Sequence, residues 1–123
     1  MRIPIAYALS YPQRLAMDLP VLNLRELNHL TFDPPDVEKF PSLKLAYEAL
    51  ETGGTMPAVL NAANEVAVGA FLQGKIGFDR IPHVVVSTMQ GHKATPLREV
   101  KDALEADQWA KEKALAFIQK ESR

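Results

Sequence analysis

Apolar positions along this chain fall at helical spacing from Ser42 onward, and much less regularly before it. Leu43, Ala46, Tyr47 and Leu50 recur at i, i+3, i+4 and i+7, which predicts one apolar helix face. Ser42 follows Pro41 and suits an N-cap, and Gly53-Gly54 ends the segment. A second helix is predicted from Thr55 or Met56 to about Gln73, with Pro57 in its first turn and Gly74 stopping it. From Ala58 and Val59 through Ala62, Ala63 and Val66 to Phe71 and Leu72 it is apolar nearly all round. Such a helix belongs at the centre of a bundle, and its alanines let neighbours come close.

Asp79 is placed to cap a third helix reaching about Gln90. His83 to Thr88 has strand propensity, yet Ile81, Val84, Val85, Thr88 and Met89 also form a helical stripe. With helices on both sides and no obvious strand partner, the segment reads as helix. Gly91 to Thr95 is a polar turn, after which Leu97, Val100 and Leu104 continue the apolar spacing. Glu105-Ala106-Asp107 marks a kink or break, with Asp107 as a further N-cap. Ala110, Ala114, Phe117 and Ile118 make the last face.

The first 41 residues follow a different rule. They hold six of the nine prolines, at positions 4, 12, 20, 34, 35 and 41, and proline fixes φ and removes a donor. Ile3 to Leu9 fits one short helix, with Pro4 tolerated in its first turn. Val21-Leu22-Asn23-Leu24 and His29-Leu30-Thr31-Phe32 alternate weakly, as short extended segments do. Asp33-Pro34-Pro35-Asp36 reads as a rigid turn. The predicted fold is mainly α: a four- to five-helix bundle with short antiparallel connections behind an extended, Pro-rich leading segment. The leading apolar residues need a surface to cover them, so rapid amide exchange is expected before about Asp36 and protection within Leu60–Phe71.

Composition narrows the partners. Acids and bases nearly balance at a net charge of -1, so nothing draws the chain to nucleic acid or an anionic membrane. There is no cysteine, which removes disulfides, thiolate metal sites and a thiol nucleophile. No apolar run reaches the roughly 18 residues of a membrane span, and the N-terminus lacks a secretory signal's apolar stretch, so the expected location is cytoplasmic.

The search for chemistry is mostly negative. No G-x-G-x-x-G or P-loop occurs. His29, His83 and His92 pair with no second ligand at metal-binding helical spacing. His83 reads as a capping or surface residue, His92 as solvated in its turn, and Trp109, Met17, Met56 and Met89 as packing residues or surface fillers. Lys111-Glu112-Lys113 and Lys120-Glu121 read as a solvated helix face. One constellation stands apart: Asn61, Asn64 and Glu65, at i, i+3 and i+4, share one face of the most apolar helix. Burying them costs several kcal/mol unless each finds a partner. Either they bond a neighbouring loop or domain and fix its docking, or they line a ligand pocket with Glu65 as acid or base. The first reading is favoured, because no second ionisable group accompanies Glu65 on this helix.

At these residues a family resemblance enters. Val59-Leu60-Asn61-Ala62-Ala63-Asn64-Glu65, with Ala67-Val68 and Ala70-Phe71-Leu72, resembles the C-terminal domain of the 1-deoxy-D-xylulose 5-phosphate reductoisomerases. Met1-Arg2-Ile3-Pro4-Ile5 with Leu9, Pro12 and Arg14 is similar to the family segment that closes the catalytic domain. Leu30-Thr31-Phe32, Pro35-Asp36 and Phe40-Pro41 with Leu43, Leu45 and Ala46 resemble its linker and first bundle helix, and Ile76, Phe78 and Ile81 its next helix start. Lys111, where the family often has Arg, and Trp109, which matches no family role, are the departures.

The resemblance implies an architecture of 1–14 as the end of a truncated α/β catalytic domain, 15–41 as linker and 42–123 as helical bundle. It implies that the chain is the C-terminal part of an NADPH-dependent enzyme making 2-C-methyl-D-erythritol 4-phosphate for isoprenoids with Mg2+ or Mn2+. The cofactor, metal and substrate residues of that family precede Met1. The chain itself is therefore expected to be inactive, with no catalytic or metal residue of its own. Met1 alone matches a residue near the nicotinamide and substrate pocket. The implied partners are the missing domains of the same enzyme and, for the whole enzyme, a second subunit. The rival reading is a standalone helical interaction module.

Overall fold

The computed structural model describes residues 1–20, 22–26 and 29–121, with Glu121 described by its backbone alone. Five helices appear among them: α1 (Arg2–Ser10), α2 (Ser42–Thr52), α3 (Met56–Leu72), α4 (Arg80–Gln90) and α5 (Val100–Glu121). No strand occurs among the described residues. None of their helices is long and apolar enough to cross a membrane. The chain divides into two compact units, Met1–Asp33 and Pro34–Arg123.

The first unit contains α1, which takes Pro4 in its first turn and buries no residue. Tyr7 and Tyr11 meet edge to face, and the Arg14 guanidinium sits 5.1 Å from the Tyr7 ring centroid. The expected extended stretch 21–24 lies partly outside the described residues, because Val21 does. Leu24 stands in a turn instead, because Asn23 organises the backbone after it: its Oδ1 accepts the Arg25 N–H and its carbonyl accepts that of Glu26.

The second unit holds the core. Among the described residues every buried one lies between Leu45 and Ile118. α3 packs most extensively on α5 and α4 and also meets α2, so the apolar helix is central, as its pattern predicts. Ala62, Ala63 and Ala67 of α3 and Ala110 and Ala114 of α5 are completely enclosed. With only a methyl group at each position, backbones approach closely, while Val59 and Val84 supply bulk between them. Burying each of those valines contributes about 2 kcal/mol.

Several expectations need correction. The stripe Leu43, Ala46, Tyr47 and Leu50 is not the buried face of α2. Leu45 and Ala49 are buried, while Tyr47 and Leu50 are 60% and 72% exposed. α2 has apolar residues on two faces, and α3 covers only one. Pro41 occupies the N-cap position, so Ser42 is the first helical residue and makes no cap. Asp79 stands at the N-cap of α4 but forms no side-chain cap bond, because its backbone is already helical. The hydrogen-bonded turn falls at Asp36–Phe40 and not at 33–36. Pro34 and Pro35 have no N–H to give, whereas Asp36 Oδ1 accepts the N–H groups of Glu38 and Lys39.

No break interrupts α5 at Glu105-Ala106-Asp107. Ala106 is buried, and Asp107 pairs with Lys111 one turn later at 2.8 Å, so it strengthens the helix instead of capping it. Leu97, Val100 and Leu104, which continue the apolar spacing in the sequence, are all exposed. The start of α5 is organised by Asp102, whose carboxylate accepts the N–H groups of Arg98 and Glu99. Those two bonds hold its carboxyl below the usual range. His83–Thr88 is helical: Val84, Val85, Thr88 and Met89 all face inward, and the Thr88 hydroxyl donates to the Val84 carbonyl.

Candidate functional site

α3 carries the constellation singled out from the sequence. Its inner faces bury alanines and Val59, which turns Asn61, Asn64 and Glu65 to the surface, where all three are exposed. The burial cost therefore does not arise. Asn61 Nδ2 donates to Glu65 Oε1 at 3.3 Å, one helical turn away. Glu65 Oε2 lies 3.7 Å from the Lys111 ammonium, which also meets Asp107. The Asp107 hydrogen bond, with Glu65 adding to it, holds the Lys111 ammonium above its ordinary value. At 57% side-chain exposure for Glu65, water screens this bridge between α3 and α5.

Asn64 sits apart from that pair, on the wall of an open, largely apolar groove of about 720 Å3 with Phe40, Leu43, Val68, Ile81 and His83. The groove brings together the starts of α2 and α4 with the middle of α3. His83 is exposed in the first turn of α4. Met1, in the other unit, is 92% exposed. No group of three or more His, Asp or Glu that could hold a metal ion exists among the described residues. Glu65 and Asp107 share the Lys111 ammonium, an arrangement that ties α3 to α5 at the surface.

A second cluster escaped the sequence reading. His92 is half-buried and held by partners, not simply solvated in its turn. Its Nε2 lies 2.8 Å from Thr55 Oγ1, and its ring packs on Trp109 at 4.9 Å between centroids. Thr55, 2% exposed, is the most enclosed polar residue of the described chain. Its N–H donates to the Thr95 carbonyl at 3.0 Å, and its Oγ1 accepts the Thr95 N–H at 3.1 Å. The segment between α4 and α5 is thereby strapped to the start of α3. Gly54 makes room for it: its φ is +54°, and a Cβ there would overlap the Thr95 carbonyl. The Gly53-Gly54 pair was the available signal. It reads as a helix stop, but the second glycine serves a contact some 40 residues away in the chain, which no local pattern encodes.

Comparison with known proteins places these features in a family. Residues 1–113 match the family model described as the DXP reductoisomerase C-terminal domain. The 1-deoxy-D-xylulose 5-phosphate reductoisomerase of Desulforamulus reducens is 56% identical over 118 residues, which is 96% of this chain and 30% of the relative. That of Chlorobium chlorochromatii is 52% identical over 118 residues, 96% of this chain and 31% of the relative. The solved enzyme from Zymomonas mobilis in complex with NADPH superposes with a TM-score of 0.87 at 38% identity, covering 95% of this chain and 31% of that one. A DOX-P reductoisomerase structure with NADPH, fosmidomycin and magnesium gives a TM-score of 0.80 at 33% identity over 95% of this chain and 31% of that one. The chain thus spans about a third of the length of these relatives. Its helical core and its leading segment together belong to the 1-deoxy-D-xylulose 5-phosphate reductoisomerase family, in that family's C-terminal domain.

Proposed function

We propose that this chain contributes the C-terminal helical domain of an enzyme that converts 1-deoxy-D-xylulose 5-phosphate to 2-C-methyl-D-erythritol 4-phosphate with NADPH, and that it is inactive by itself. The observation that carries this reading is the match of residues 1–113 to the C-terminal domain, at 52–56% identity to reductoisomerases some three times longer. Within it, 1–14 closes the catalytic domain, 15–41 is the linker and 42–123 is the bundle that braces the rest. Solved relatives bind NADPH and magnesium. The described residues fit neither: no phosphate-cradling glycine motif and no carboxylate cluster is present. No catalytic step is therefore assigned to this chain. In this reading Met1 would lie beside the nicotinamide and substrate pocket of the whole enzyme.

Asn61, Asn64 and Glu65 act in this reading as a polar docking edge. Their exposure leaves amide and carboxylate groups available to backbone partners on a neighbouring domain. The working enzyme is a homodimer in the cytoplasm, with neither nucleic acid nor membrane as partner, in keeping with the near-zero net charge. Purified chain mixed with deoxyxylulose phosphate, NADPH and Mn2+ should show no substrate-dependent loss of NADPH absorbance. Turnover above the blank would overturn the proposal.

A further inference from the structure

The Thr55 hydroxyl has one hydrogen to give and two lone pairs with which to receive. One lone pair takes the Thr95 N–H. The hydrogen faces two acceptors, His92 Nε2 at 2.8 Å and Thr95 Oγ1 at 3.5 Å. With the neutral ring's proton on Nδ1, the tautomer the latch requires, Nε2 is the nearer acceptor, and one oxygen ties ring, strap and helix start together. A second proton turns Nε2 from acceptor to donor. Thr55 Oγ1 must then receive two N–H groups, and its own hydrogen is left with an acceptor at the limit of hydrogen-bond reach.

We propose that the Thr55–His92–Thr95 cluster is an acid-sensitive latch, which clamps the segment between α4 and α5 to the start of α3 while the His92 ring is neutral and lets it go when the ring is protonated. The surroundings favour this direction. The last turn of α4, Ser87 to Gln90, and the first turn of α3, Thr55 to Ala58, carry no charge. The strap itself adds Lys93, the next residue in the chain and exposed. On α5, one turn either side of Trp109, stand Glu105, held by Lys101, and Lys113, whose ammonium is 6.0 Å from the Trp109 centroid; Glu112 accepts from Gln108. Among the described residues no carboxylate pairs with His92 to hold a proton on it. Burial accordingly lowers its pKa from the ordinary value. A depressed histidine contributes stability that is complete above its unfolded-state pKa and is lost as pH falls through the folded-state value.

NMR titration of the whole chain tests the latch. His92 should titrate below a histidine in an unstructured peptide. The Thr55 and Thr95 amides should lose protection, corrected for intrinsic exchange chemistry, over the same pH range, while Val66 and Ala67 keep theirs. Thr55→Val preserves shape at a buried site and should abolish Thr95 protection at every pH. His92→Gln keeps a polar side chain there without titrating and should remove the pH dependence. His92 titrating at or above the peptide value, or an unchanged pH dependence in His92→Gln, would overturn the proposal.

Discussion

Glycine shows at the residue scale how one side chain can have two different costs. Gly54 and Gly74 both have positive φ, +54° and +69°. An alanine at either pays the left-handed penalty of about 1–2 kcal/mol. Around Gly74 there is open space, and the cost should end there. At Gly54 the new methyl would overlap the Thr95 carbonyl, so the strap must also shift and its hydrogen bonds to Thr55 must stretch. Gly54→Ala should therefore lower stability by about 3 kcal/mol or more, against about 1 for Gly74→Ala, read from urea midpoints. Equal losses would show that the Gly54–Thr95 approach carries no weight. Both glycines read as helix stops in the sequence. Nothing near Gly54 in the chain distinguishes it, because Thr95 arrives only through the packing of α4 and α5 on α3.

At the scale of the element, α2 shows what periodicity leaves open. Leu43, Ala46, Tyr47 and Leu50 satisfy the helical rule as well as any stripe in the chain, yet the structure turns Leu45 and Ala49 inward. The pattern predicts a helix correctly and its buried face incorrectly, because a helix with apolar residues on two sides is oriented by its neighbour. Leu45→Ala should then cost about 2–4 kcal/mol, and Leu50→Gln less than about 0.5 kcal/mol, by the same urea measurement. A larger loss at Leu50 would mean that the outward stripe is covered. α5 errs in the other direction. Glu105-Ala106-Asp107 has the residues of a stop and a restart, but a buried Ala106 and the Asp107–Lys111 pair carry the helix through.

For the whole molecule, stability is distributed as unevenly as burial. Among the described residues all the buried ones fall between Leu45 and Ile118, and α1 has none. Amide exchange should be fast before about Asp36 and slow from Leu60 to Phe71, where α3 is enclosed by α2, α4 and α5. Uniform protection from Met1 onward would contradict this distribution. The leading unit exposes Ile3, Leu9, Leu15, Leu30 and Phe32.

The sequence by itself determined the helices of the core, the central place of α3 and the family. Each of these depends on residues close together in the chain: apolar spacing, proline and glycine at the ends, and the Leu60–Glu65 motif. It also placed Asn61, Asn64 and Glu65 on one face, because three- and four-residue steps suffice for that. Only the tertiary structure decided that this face is solvated, that α2 buries Leu45 and not Leu50, and that His92 is held between Thr55 and Trp109. These depend on which surfaces meet across some 40 residues of chain. Helical periodicity states that a face is apolar or polar. Which apolar face is covered, and which polar group finds a partner, follows from the competition among all the faces for a single core.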